Sequence, residues 1–147
     1  MVVSVRINGI DAAKSSVVAL TPSVAASALR QMSQVAYDSM QAGAGRHSRR
    51  GDLFASVYNR SAGALRREVG HDPQRAPHAI FVVFGTRPHV IKPKEKKALR
   101  WASGGKFAFA KTVHHPGYKG DDYMTPAADA AVRQFDAIIN QAFKEAS

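Results

Sequence analysis

The segment TPSVAASALRQMSQVAYDSM, residues 21–40, decides how the rest of the chain is read. Thr21 followed by Pro22 is a helix N-cap with proline at the first helical position, where the missing N–H would have had no partner anyway. Behind them Ala25, Ala28, Leu29, Met32, Val35, Ala36 and Met40 recur at steps of three and four, one side of a helix of about five turns. The stripe is thin and rich in alanine, so another backbone can approach it closely, either a sheet of the same chain or a neighbouring subunit. Gly43 and Gly45 are expected to stop the helix.

Upstream, Val3, Val5 and Ile7 alternate with Ser4, Arg6 and Asn8, the period of a strand, which Asn8-Gly9 ends. Residues 10–20 are ambiguous, with a short helix from Asp11 as one reading. Downstream, Gly45-Arg46-His47-Ser48-Arg49-Arg50-Gly51 reads as a basic loop, too polar to be core. Leu53 to Val57 and Ala64 to Val69 read as strands flanking Asn59 to Gly63, followed by a turn-rich stretch from Gly70 to Pro77. Ala79 to Phe84 is apolar throughout and fits a buried strand or one and a half turns of buried helix.

Lys97 to Val113 predicts a hairpin around Ser103-Gly104-Gly105-Lys106. Leu99 and Trp101 share one face of its first strand and Phe107 and Phe109 one face of its second, with Ala98, Arg100, Ala108 and Ala110 opposite. Such alternation reads first as core, and second as a base-stacking platform. After a loop from His114 to Tyr123, Thr125-Pro126 is a second N-cap with proline behind it. The helix it opens runs to about Lys144 with Ala128, Ala131, Val132, Phe135, Ile138, Ile139, Ala142 and Phe143 as its apolar stripe. Strands between two helices, without repeats or a linker, predict one α+β domain over 1–147: a mostly antiparallel sheet with a hairpin arm, packed by an N-terminal and a C-terminal helix.

The 147 residues are about one domain's worth of chain. At 45% hydrophobic and 22% charged, the composition excludes a collagen-like or wholly disordered chain. The net charge of +10 is concentrated: Arg46 to Lys119 holds sixteen Lys and Arg against four Asp and Glu, a net +12, while the two ends together carry −2. All six histidines also lie in this middle stretch. A cationic centre of this kind points to phosphate or to an acidic protein face. The absence of cysteine excludes a disulfide framework and thiolate metal sites. No secretory signal pattern opens the sequence and no apolar window is long enough for a membrane span, so neither export nor a membrane is expected.

Catalytic and metal-binding patterns fail on spacing. His114-His115 with Asp121-Asp122 has metal-ligand residue types, but adjacent residues of an extended segment point to opposite sides. Gly104-Gly105-Lys106 resembles the tail of a phosphate loop, yet Arg100 and Phe107 stand where a glycine and a hydroxyl residue are needed. There is no nucleophile elbow, and the cationic centre has few carboxylates for acid–base work. The expectation is no enzyme, no cofactor and no metal. The basic residues Arg46, Arg49, Arg50, Lys92, Lys94, Lys96 and Lys97 are the candidate contacts to a polyanion or acidic partner.

The order of segments carries a resemblance. Gly51-Asp52-Leu53-Phe54-Ala55-Ser56-Val57 follows the long helix, then come Phe84-Gly85-Thr86-Arg87-Pro88-His89, Ile91-Lys92-Pro93, Lys96-Lys97-Ala98-Leu99-Arg100 and Tyr123-Met124-Thr125-Pro126-Ala127. Over about residues 20–147 the chain resembles the gene-product-ten-like tail-completion, tail-terminator or neck proteins of long-tailed bacteriophages. Arg50, where that family has threonine, and Val83, where it has an acidic residue, depart from the pattern. The resemblance implies a non-enzymatic virion protein, assembled in the host cytoplasm into a homo-hexameric ring at the head–tail junction or the top of the tail tube. Head-completion or stopper proteins and tail-tube proteins would be its neighbours, and genomic DNA would pass its lumen with non-specific contact. Gly51, Gly85 and Thr86 would be the motif turns, Gly85 with positive φ. Residues 87–120 would extend as an arm contacting neighbouring subunits through Arg87, His89, Arg100, Trp101, Phe107 and Phe109. The alternative is a small basic nucleic-acid-binding protein that uses the cationic centre on phosphates.

Overall fold

A computed structural model describes residues 4–8 and 21–146, with the backbone alone for 4–8. Helix α1 (Pro22–Gly45) is its hub. The Thr21 hydroxyl accepts from the Val24 N–H at 3.4 Å, and the stripe read from the sequence turns inward: Ala25, Ala28, Leu29, Met32, Ala36 and Met40 are buried and Val35 is half-buried. Burial stabilises by about 1.5–3 kcal/mol for each large apolar side chain. Gly43 does not stop the helix. It packs against Tyr123, and a Cβ there would lie 2.5 Å from the Tyr123 Cβ. The helix ends two residues later, with Arg46 as its C-cap.

Strands β1 (Ser4–Asn8), β2 (Val57–Gly63) and β3 (Arg66–His71) form an antiparallel sheet in the order β1-β3-β2. Val5 pairs with Val69 and Asn59 with Val69 from the other side, and the register shifts between Ser61 and Gly63. The reading of residues 10–20, with its helix from Asp11, lies outside the described residues. One side of α1 packs on this sheet, the other on α4 (Met124–Arg133) and α5 (Phe135–Ala146). Leu53, Val69, Met124, Ala131 and Ile139 join the α1 stripe in one core.

Several elements differ from their sequence reading: Asn59 to Gly63, expected between two strands, belongs to strand β2, and the turn falls at Ala64–Leu65. Leu53 to Val57 is not a strand: α2 (Asp52–Ala55) makes one helical turn and β2 starts only at Val57. Five residues that include Leu53, Phe54 and Val57 fit either period, and Gly51, with φ +86°, opens the turn. Ala79 to Phe84 resolves as helix α3. It is not buried all round, since Phe81 and Phe84 are exposed. The C-terminal helix breaks at Gln134, and the free N–H groups at the start of its first part bond the carboxyl of Asp122, not the Thr125 hydroxyl. Asp122 Oδ1 accepts from the Met124 and Thr125 N–H groups and Oδ2 from the Thr125 hydroxyl at 2.7 Å, bonds to Thr125 above all that hold its carboxyl below the usual range. An ionised carboxylate at a helix start outcompetes a hydroxyl for the free N–H groups. Val132, within α4, is exposed and not part of the buried stripe it was expected to join.

The result is an α+β fold with a split sheet. Beyond the three-stranded sheet, among the described residues β4 (His89–Ile91) pairs only with β7 (Val113–His115), and β5 (Leu99–Ser103) only with β6 (Lys106–Ala110). No helix of the described residues is long and apolar enough to cross a membrane.

Candidate functional site

The chain leaves the body after α3 and returns before α4, and the two passes are clasped where they cross. Thr86 and Tyr118 exchange backbone hydrogen bonds at 2.7 and 2.9 Å, and the Asp121 N–H donates to the Val82 carbonyl at 2.9 Å. The approach is possible because Gly85, Gly117 and Gly120 all adopt positive φ and each faces the other pass. A Cβ on Gly85 would overlap the Tyr118 carbonyl oxygen, one on Gly117 would lie 2.6 Å from the Thr86 oxygen, and one on Gly120 2.6 Å from the Gly85 nitrogen. Gly85 thus has the conformation its motif implies, and Thr86 makes the bridge. Gly117 and Gly120, read only as loop residues, complete the clasp.

Beyond the clasp stands the arm of residues 87–120. Its base is the β4–β7 ribbon, where His89 pairs with His115 and their rings stack at 4.9 Å. The His89 Nδ1 bonds the Arg87 carbonyl, and the His115 Nδ1 accepts from the Gly117 N–H. A groove of about 590 Å³ opens beside it, lined by Phe81, Thr86, Arg87 and Ile91 among others. Arg87, His89, Lys92, Lys94, Lys96 and Lys97 are exposed, and none has an ion pair among the described residues.

The hairpin beyond overturns the expected sharing of faces. Gly104 and Gly105 both have positive φ, so the turn has two residues and pairs Ser103 with Lys106. Odd-numbered residues of β5 then oppose even-numbered residues of β6: Trp101 faces Ala108, and Arg100 faces Phe109. Trp101 lies on one side and Phe107 with Phe109 on the other, so they cannot form one stacking platform. Nor are they core, being 43%, 57% and 66% exposed. The Arg100 guanidinium sits over the Phe107 ring, 3.6 Å from its centroid.

The other basic candidates belong to the body. Arg49 and Arg50 are exposed in the loop between α1 and α2. Arg46 is not a free cation: with His47 it holds Asp121, at 3.0 and 2.7 Å, beside the clasp. Those two bonds, His47 first, keep the Asp121 carboxyl below its ordinary range. Of the residues whose types suggested a metal site, His115, Asp121 and Asp122 have other partners, and among the described residues no group of three or more His, Asp or Glu is placed to hold an ion.

A polar chain missed in the sequence runs through the core under the clasp. His71 is 2% exposed, between the Ser56 hydroxyl at 2.7 Å from Nδ1 and the Tyr123 hydroxyl at 2.8 Å from Nε2. Ser56 donates its one proton to the Leu53 carbonyl, so it accepts from Nδ1–H, and Nε2 accepts from Tyr123. The imidazole is neutral, with burial pushing it down to about 4, and burial pushes the Tyr123 phenol up to about 12. A serine beside a histidine suggests a nucleophile, but this hydroxyl is sealed from solvent and its proton is committed to a carbonyl. The chain ties α2, β3 and the start of α4 together. Its sequence signal was slight, a histidine closing the charged strand Arg66–His71 two residues after Val69.

Compared with protein-family models, with curated proteins and with solved structures, the chain matches none.

Proposed function

We propose that this chain is a non-enzymatic structural subunit of a bacteriophage virion, one that assembles with copies of itself into a ring at the head–tail junction or the top of the tail tube. The observation that carries this reading is the arm: 34 residues held off an α+β body by a glycine clasp, with aromatic side chains exposed on both faces of its hairpin. Monomeric proteins rarely leave such apolar surface uncovered, and a small body with a projecting arm is suited to linking like subunits. The order of motifs over residues 20–147 supports placing that ring in a phage neck or tail. Its partners would be the adjoining stopper and tail-tube rings. The test is to image purified virions and map their neck proteins. The expected result is this chain in a closed ring around the DNA path; mature particles that lack it would overturn the reading.

One observation favours a second reading, the unpaired lysines of residues 92–97. A small nucleic-acid-binding protein would use them on phosphates. It would bind short duplexes as a monomer, with log K falling by about 0.9 per decade of salt for each phosphate contacted.

A further inference from the structure

We infer that the β5–β6 hairpin of one copy seats its Arg100, Phe107 and Phe109 face on the α4–α5 surface of a second copy, over Val132 between Asp129 and Asp136. The inference rests on the self-assembly proposed above and names the two surfaces that meet. A two-stranded hairpin is marginal in water unless something covers it, and within one chain these strands pack chiefly on each other. Its Phe107–Phe109 face is the most exposed aromatic surface of the arm.

Charge selects the receiving surface. Residues 87–120 hold nine Lys and Arg against one acidic residue, a net +8, whereas residues 121–147 hold five acidic against two basic, a net −3. On the helices, Val132 is 64% exposed, three residues after Asp129 and four before Asp136. Both carboxylates are exposed, and neither forms an ion pair among the described residues. An apolar side chain between two free carboxylates complements aromatic rings beside a guanidinium. Because Arg100 lies over Phe107, its N–H edge stays available for a carboxylate while its plane is covered. Duplex DNA fits this face less well. Between Leu99 and Ala110 only Arg100 and Lys106 are cationic, and the rest of both faces is mainly carbon. Hairpin and helices are different patches, so the contact is head-to-tail and propagates from copy to copy.

The cysteine-free chain offers a clean test. Phe109→Cys and Val132→Cys proteins, each otherwise full-length, are mixed under mild oxidation, with Ala42→Cys on the exposed side of α1 replacing Val132→Cys as the control. The mixed disulfide is expected to form about tenfold faster than with the control. Asp129→Lys with Asp136→Lys in the receiving copy removes that advantage, and Arg100→Glu in the hairpin copy, the one cation on the docking face, restores much of it. Equal rates with the control, or charge reversals that do not rescue one another, overturn the inference. So does a short DNA duplex that blocks cross-linking while the helix reversals leave the rate unchanged. Rescue also guards against misfolding, because an unfolded variant is not repaired by a change in its partner. Micrographs of the same mixtures separate this contact from the proposed function: open chains with rescue keep the contact and sink the ring, and closed rings without rescue do the reverse.

Discussion

His71 makes stability depend on pH. In the unfolded chain its imidazole takes a proton near pH 6.5, but in the folded core only near 4, because the ring is desolvated and Nε2 already accepts from Tyr123. The unfolded state therefore binds more protons between these values, so stability is full above about 6.5 and falls as pH drops toward 4. The shift corresponds to about 3 kcal/mol. Urea titrations at pH 7 and 4.5 are expected to show this loss in the native chain and a smaller one in His71→Gln, the difference isolating His71 from the surface carboxylates. Equal losses would sink the argument. Tyr123→Phe leaves the Nε2 lone pair buried without a donor, at a cost of about 1–3 kcal/mol in the same measurement.

At the scale of elements, helix periodicity was the most legible signal. The α1 stripe could be read because seven apolar positions fit only the helical period. Short segments were not legible: residues 53–57 and 79–84 fit two periods, and tertiary contacts chose. Gly43 shows a glycine read correctly as significant for the wrong reason, since what it serves is the approach of Tyr123, a residue eighty positions away. Gly43→Ala decides between the two reasons. As a mere helix weakener, Gly43 replaced by alanine would stabilise by about 1 kcal/mol. Against the Tyr123 side chain the added methyl has no room, so a net loss of about 1–3 kcal/mol is expected, read as a lower thermal midpoint. The clasp makes a sharper demand: Gly85→Ala adds strain at φ +77° to the overlap with the Tyr118 carbonyl. Its expected effect is faster amide exchange at Thr86 and Tyr118 than at Val69 in the sheet. In the candidate site, the basic run of residues 92–97 was legible from its charge, but the hairpin's aromatics alternate like core and are exposed, and their faces depended on a two-residue turn that shifts every partner by one.

At the scale of the molecule, the charge of +10 is divided along the fold. Helices α1, α4 and α5 build the body from segments of slightly negative balance, and the arm carries a net +8. Within the arm the division continues, with aromatics on the hairpin and most lysines in the segment before it. These two parts are suited to different contacts, the hairpin to a protein surface and the 92–97 run to anions, and they should fail separately when altered. Lys94→Gln with Lys96→Gln and Lys97→Gln lowers the net charge to +7 without touching Arg100, Phe107 or Phe109. If these lysines face DNA inside a ring, the salt dependence of duplex binding becomes shallower by about 2.7 in log–log slope. The rate of Phe109→Cys to Val132→Cys cross-linking stays within about twofold of the parent, a change of less than ~0.5 kcal/mol. A slope that does not change would reduce the run to a solubilising surface. A cross-linking rate that falls with the slope would show that the lysines, and not the aromatic face, join one copy to the next.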